Sequence, residues 1–168
     1  MRRWGILTTV LFLTLVGCAG RAPVARQIQS SWTISGSFDI IWSSALEVLA
    51  ELNVPIIMPI DKASGIITTE SVNLPDNEKS CLDCGKLPFT AILYLHRRKL
   101  TIFVRPSGDR VELKIVAVFV AQYTDDMADA LTTIRREPFQ GKTIWERPCI
   151  STGQIEREIY DLVSAKIK

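Results

Sequence analysis

The chain has 168 residues, 47% apolar and 23% charged, enough apolar content for one core and the wrong composition for a collagenous, disordered or multi-domain chain. Its formal charge is +2, and Arg2 and Arg3 supply that excess: residues 1–17 hold no Asp or Glu, so the remaining 151 carry 18 basic and 18 acidic side chains. A domain of zero net charge has no field to steer phosphate, and nucleic acid is not an expected partner.

Met1-Arg2-Arg3 is a short basic start, and Trp4 to Gly17 follows as fourteen residues without a charge. As a helix they rise about 21 Å, short of the roughly 30 Å hydrocarbon core of a bilayer. The run therefore reads as the apolar region of a signal peptide and not as a stable span. It exits through Leu15-Val16-Gly17-Cys18. This tetrapeptide resembles the lipobox of bacterial lipoproteins. The resemblance implies a diacylglycerol thioether on Cys18, cleavage before it and acylation of the new amino group. Two or more acyl chains anchor stably where one holds marginally. Ala19 stands after the cysteine where an Asp would, by resemblance to the enteric sorting rule, retain the protein at the inner membrane. The implied location is the outer membrane, and the domain is expected to face the periplasm, with the cell surface as the other possible side. Residues 19–30 are small and polar and read as a flexible tether that extends about 40 Å at most. The expected organisation is a leader over 1–17, the lipidated Cys18 and tether over 18–30, and one domain over 31–168.

Trp32 to Ser35 is a short candidate strand. Ser37 is placed to cap the next segment, where Phe38, Ile41, Trp42, Ala45, Leu46, Leu49 and Leu52 fall on one face of a helix. Asn53 and Pro55 stop it. Val54–Ile60 and Ile66–Val72 flank Asp61-Lys62-Ala63-Ser64-Gly65, the pattern of a hairpin whose first arm is made irregular by Pro55 and Pro59. Asn73–Pro88 reads as a long loop. Phe89–Leu95 is a candidate strand. Lys99–Arg105 alternates, Pro106-Ser107-Gly108-Asp109 turns, and Arg110–Gln122 begins alternating and becomes continuously apolar from Ile115, which predicts burial on both faces. Thr124–Arg136 has helical spacing in part, and Pro138–Pro148 reads as loop. Ser151–Ile167 is a second helix with Ser151 and Gln154 as its capping pair, Ile155, Ile159, Leu162 and Val163 as its apolar stripe, and Glu156, Arg157, Glu158 and Lys166 toward water. Antiparallel strands between two amphipathic helices predict an α+β fold, with an antiparallel sheet packed on one face by the helices.

With Cys18 acylated, Cys81, Cys84 and Cys149 remain. An exported chain sits where disulfides persist. One bridge and one leftover thiol are expected, with Cys84–Cys149 preferred because Gly85 gives the backbone room to turn, Cys81–Cys149 close behind, and Cys81–Cys84 constraining little. The Cys81-Leu82-Asp83-Cys84 spacing fits two other chemistries poorly. A c-type haem site needs His where Gly85 stands, and a redox pair needs a helix start that Gly85-Lys86-Leu87-Pro88 does not offer. Zinc would need Cys81, Cys84, Cys149 and His96 to converge.

His96, the only histidine, lies in the basic run His96-Arg97-Arg98-Lys99 and reads as a solvated turn residue. Asp125-Asp126-Met127-Ala128-Asp129 repeats the letters of DDxxD without the large helical enzyme and second motif that chemistry requires. It reads as a charged helix start. No GxSxG and no glycine-rich phosphate loop occurs. Phe38 and Trp42 read as core. Trp32 and Trp145 lie outside that periodicity and are candidates for an aromatic contact surface. No catalytic residue, cofactor or metal site is expected.

Phe38–Glu70 runs as a helix with Trp42, Ala45 and Leu49, then an apolar segment, Asp61-Lys62-x-Ser64-Gly65, and Ile66-Ile67-Thr68-Thr69-Glu70. This order resembles the helix-grip modules of NlpB/BamC-like outer-membrane lipoproteins. Cys149-Ile150-Ser151-Thr152-Gly153-Gln154-Ile155-Glu156 resembles a signature of small proteobacterial lipoproteins. The resemblance implies a helix-grip fold. The role expected of the domain is binding or scaffolding beside an envelope protein, without catalysis. The alternatives are a binder of small apolar or lipid molecules and, third, a cysteine-based metal or redox module.

Overall fold

The computed structural model describes residues 21–57, 60–86, 91–125 and 144–167. The leader, Cys18 and the segment 126–143 lie outside them.

Strand β1 (Ser31–Ser35) leads into helix α1 (Phe38–Glu51). The cap forms as its spacing predicts: the Ser37 hydroxyl accepts the Ile40 N–H at 3.4 Å. Ile41, Trp42, Ala45, Val48 and Leu49 are buried on the face that the 3.6-residue period marks out. After Leu52, Asn53 takes φ +50, a left-handed turn that asparagine tolerates.

The expected hairpin arm over Val54–Ile60 forms no strand among its described residues. Ile56 makes one isolated bridge to Thr69, and the Glu70 N–H donates to the Pro55 carbonyl at 2.9 Å. A proline without an N–H leaves too few donors for a ladder. The Asp61–Gly65 turn is real. The Asp61 carboxylate accepts the Ala63 N–H at 3.0 Å, and Ser64 Oγ donates to the Asp61 carbonyl at 2.8 Å. Gly65 has φ +66, and a Cβ there would stand 2.2 Å from the Val104 carbonyl oxygen, so only glycine fits.

The sheet is antiparallel throughout. Strand β2 (Ile66–Thr68) and strand β3 (Val72–Asn73) pair along one edge of the long strand β5 (Ala91–Ser107). That strand turns through Gly108-Asp109 into strand β6 (Arg110–Asp125). The far edge of β6 is shared. Strand β1 pairs with its first half and strand β7 (Ile144–Ser151) with its second. Strand β4 (Leu82–Asp83) closes that side against the end of β7. Helix α2 (Gln154–Lys166) completes the chain. The protein is α+β: seven described strands in one antiparallel sheet, and two helices.

Several expectations need correction. The run His96–Lys99 is no turn. It lies inside β5, whose only irregularity falls between Leu93 and Leu95. Strand β6 offers a ladder along the whole length, and that ladder overrides the local charge. The loop over 73–88 holds β3, a 3-10 turn (Asp76–Cys81) and β4. Thr124 and Asp125 continue β6, while the helical spacing and acidic cluster beyond them lie outside the described residues. Ile144–Pro148, read as loop, belongs to β7. Pro148 sits where β7 is paired on one side only, which a residue lacking an N–H tolerates.

The core joins alternate residues of β5 and β6 (Leu100, Ile102, Val104; Val111, Leu113, Ile115, Phe119) to the apolar faces of α1 and α2. Because the helices cover that face alone, β6 is not buried on both sides. Val118 is 51% exposed, with Val116 and Val120 half-buried beside it. Lys166 ties the helices together through Glu47 at 2.9 Å and Glu51 at 2.7 Å, bonds that hold its ammonium pKa above the ordinary lysine value.

Candidate functional site

The cysteines resolve at one corner of the sheet. Strand β4 and the end of β7 pair through Leu82–Ser151 and Asp83–Ile150. This brings Cys84 and Cys149 together, and they form a disulfide across a separation of 65 residues. Gly85 turns the chain at φ +69, with its N–H held by the Asp83 carboxylate at 2.8 Å. The preferred pairing is the one observed. Cys81 is free and buried. Burial, and then the Glu78 carboxylate, push its thiol pKa up, which disfavours the thiolate.

The segment expected as a tether lies against this corner. The Arg21 carbonyl accepts two hydrogen bonds, from the Lys86 N–H at 2.9 Å and from the Arg147 guanidinium at 2.8 Å. Arg147 also donates to the Lys86 carbonyl at 3.0 Å and so bridges the two segments. A Cβ on Gly85 would stand 2.2 Å from the Arg21 oxygen. Further on, Ile28 fills the space over Gly153 and the Ser30 carbonyl accepts the Ile115 N–H at 2.8 Å. Alternation along β7 puts Trp145 on the same side as Arg147, one two-residue step of about 7 Å away. Trp145 is 51% exposed, as is its neighbour Ile144. Trp32, the other aromatic candidate, stacks on Tyr160 with ring centroids 4.8 Å apart.

Two polar pairs with buried members lie nearby that sequence reasoning missed. Arg98, expected in a solvated run, points into the core side and pairs with Glu78 of the 3-10 turn. Glu156, expected toward water, is 1% exposed, and its carboxylate accepts the Ser151 hydroxyl at 2.8 Å. Ser151 is therefore no partner of Gln154. Its Oγ accepts the Gly153 N–H at 3.1 Å, and the Gln154 side chain bonds Ser80 instead. His96 faces the same side of β5 as Arg98. Burial, and then the charge of Lys79, hold its pKa below the ordinary histidine value.

The opposite sheet face carries Val116, Val118 and Val120 between Lys99, Thr101, Phe103 and Arg105 on one strand and Glu146 and Pro148 on the other. A shallow groove of about 190 Å³ on it is lined by Phe103, Arg105, Glu112 and Lys114. These groups can bind through charge and apolar contact, and they include no nucleophile beside a base. Among the described residues, no three His, Cys, Asp or Glu side chains gather where they could hold a metal ion. Among them also, no helix is long and apolar enough to cross a membrane. Cys84 and Cys149 are spent in the disulfide, so the four ligands considered for zinc do not converge as thiols and imidazole.

A scan against protein-family models finds no match, and a search of curated proteins returns no similar sequence.

Proposed function

We propose that the chain is a lipoprotein of the bacterial outer membrane, acylated at Cys18, whose domain faces the periplasm and acts by binding or scaffolding without catalysis. The Cys84–Cys149 bond carries this. A structural disulfide persists in an oxidising compartment, and export to one is what the basic, apolar leader ending in Leu15-Val16-Gly17-Cys18 would achieve. The NlpB/BamC-like helix-grip resemblance supports the same placement. Its partner is an envelope protein concerned with assembly or maintenance of the outer membrane. Attachment to the same surface raises the effective concentration, so a modest contact suffices. The mixed charged and apolar sheet face around Val118 suits such a contact better than a small-molecule cavity does. The space between sheet and helices is occupied by Ile41, Leu49, Leu100, Ile102, Leu113, Ile115 and Ile159, all fully buried, which argues against a binder of small apolar or lipid molecules.

The test is the mass of the mature N-terminus in native envelopes. Expected is a chain beginning at Cys18 with added acyl mass that partitions into detergent, and loss of both in Cys18→Ala. An intact leader with unmodified Cys18 overturns the anchor. Crosslinking in intact cells tests the partner, and recovery of no envelope protein above background overturns the scaffold role.

A further inference from the structure

We infer that the disulfide corner is a clasp that holds the domain against the bilayer in a fixed orientation, with Trp145 set at the lipid surface. This rests on the acylation of Cys18 proposed above. Three residue steps separate Cys18 from Arg21, at most about 11 Å of extended chain. A free tether over 19–30 would let the domain stand about 40 Å away and rotate. The bonds to Arg21 remove that freedom. Its carbonyl is fixed by the Lys86 N–H and the Arg147 guanidinium, over a glycine that leaves no room for a side chain. Ile28 on Gly153 and the Ser30–Ile115 bond pin the rest of the segment. The lipid therefore attaches within about 11 Å of the corner that the disulfide braces.

The surface at that corner fits a lipid headgroup layer. Trp145 is half exposed on β7 and shares a side with Arg147, while Ile144 points to the other sheet face. Indole is amphipathic and settles where hydrocarbon meets water. The exposed Arg21 and Lys86 add cations at the same place, suited to anionic headgroups. A bilayer is the one partner that chain length forces into range. The orientation in turn decides which surfaces an envelope protein can reach: the side of β7 that carries Trp145 and Arg147 meets the lipid, and the Val116, Val118 and Val120 side chains project from the other face of the sheet.

The experiment uses the full acylated protein in vesicles of phosphatidylethanolamine and phosphatidylglycerol, part of the lipid brominated near the headgroup. Trp145→Phe identifies the emission of Trp145. Expected is loss of that emission in brominated vesicles, and resistance of Arg21 and Arg26 to trypsin. Arg147→Gln removes the guanidinium bridge, and Gly85→Val drives a side chain into the Arg21 carbonyl. Both variants should restore the emission and admit trypsin. Arg147→Gln, half-buried and outside the hydrophobic core, keeps the test sound where Gly85→Val fails to fold. Acylated protein whose Trp145 is unquenched, or whose segment is cut as fast as in Arg147→Gln, overturns the clasp while leaving the anchor intact. Absence of acyl mass on Cys18 overturns both, and is read separately by mass spectrometry.

Discussion

Ser151 donates its hydroxyl to Glu156 Oε2 at 2.8 Å inside the protein while accepting the Gly153 N–H. One serine thus joins the last residue of β7 to the first turn of α2. The other oxygen of Glu156 has no hydrogen-bond partner among the described atoms. Ser151→Ala leaves a buried carboxylate without its remaining partner. The expected cost is about 1–3 kcal/mol, read as a lower urea midpoint at unchanged slope. A loss below the error of the extrapolation would mean that Glu156 finds other partners.

Removing both disulfide cysteines, as Cys84→Ser with Cys149→Ser, frees a loop of 65 residues. The chain-entropy account gives a loss of about 4 kcal/mol. The wild type in reductant should match the double variant. A double variant as stable as the oxidised wild type would show that the pairing of β4 with β7 holds the corner unaided. Replacing both cysteines together avoids leaving a new thiol beside Cys81.

Cys81 is 2% exposed, and its thiol is held above the ordinary value by burial and by Glu78. A neutral, covered thiol is a poor nucleophile. Iodoacetamide at mildly alkaline pH should leave Cys81 unmodified in the folded protein and alkylate it in denaturant. Glu78→Gln should lower the thiol pKa and also strip the buried Arg98 of its partner. Any gain in labelling therefore has to be separated from unfolding by circular dichroism. Labelling of native Cys81 at the rate of a free thiol would contradict the burial.

The elements that were legible from sequence are those whose period is set by one burial interface. Helix α1 shows its stripe from Phe38 to Leu49 because one face meets the sheet. The hairpin of β5 and β6 shows in the alternation of Lys99–Arg105 and in the turn at Gly108. The Cys84–Cys149 pair is favoured, narrowly over Cys81–Cys149, by the freedom of Gly85 beside it. What stayed hidden depends on partners distant in the chain. Arg98 lies inside because Glu78 reaches it. Glu156 lies inside because Ser151 precedes it across a strand end, and a helical wheel holds no record of that strand. Val118 is exposed because both helices choose the other face, a choice that no run of apolar residues encodes. The bonds to Arg21 need Lys86 and Arg147, which become neighbours only when β4 pairs with β7.

His96 supplies the pH dependence. It lies in β5, partly buried and near Lys79, and both effects disfavour its charged form, so its folded pKa falls below 6.5. The sign follows from proton counting. As pH falls past 6.5 the unfolded chain binds a proton before the folded one does, so protonation favours unfolding. The stability associated with neutral His96 is complete above 6.5 and is lost as pH drops through the depressed folded value. Urea midpoints of the wild type should therefore decline on mild acidification, above the range in which carboxylates titrate. His96→Gln, which cannot take the proton, should flatten that part of the curve. Parallel curves for the two proteins across this window would show that the imidazole is as well solvated in the folded state as in the unfolded one.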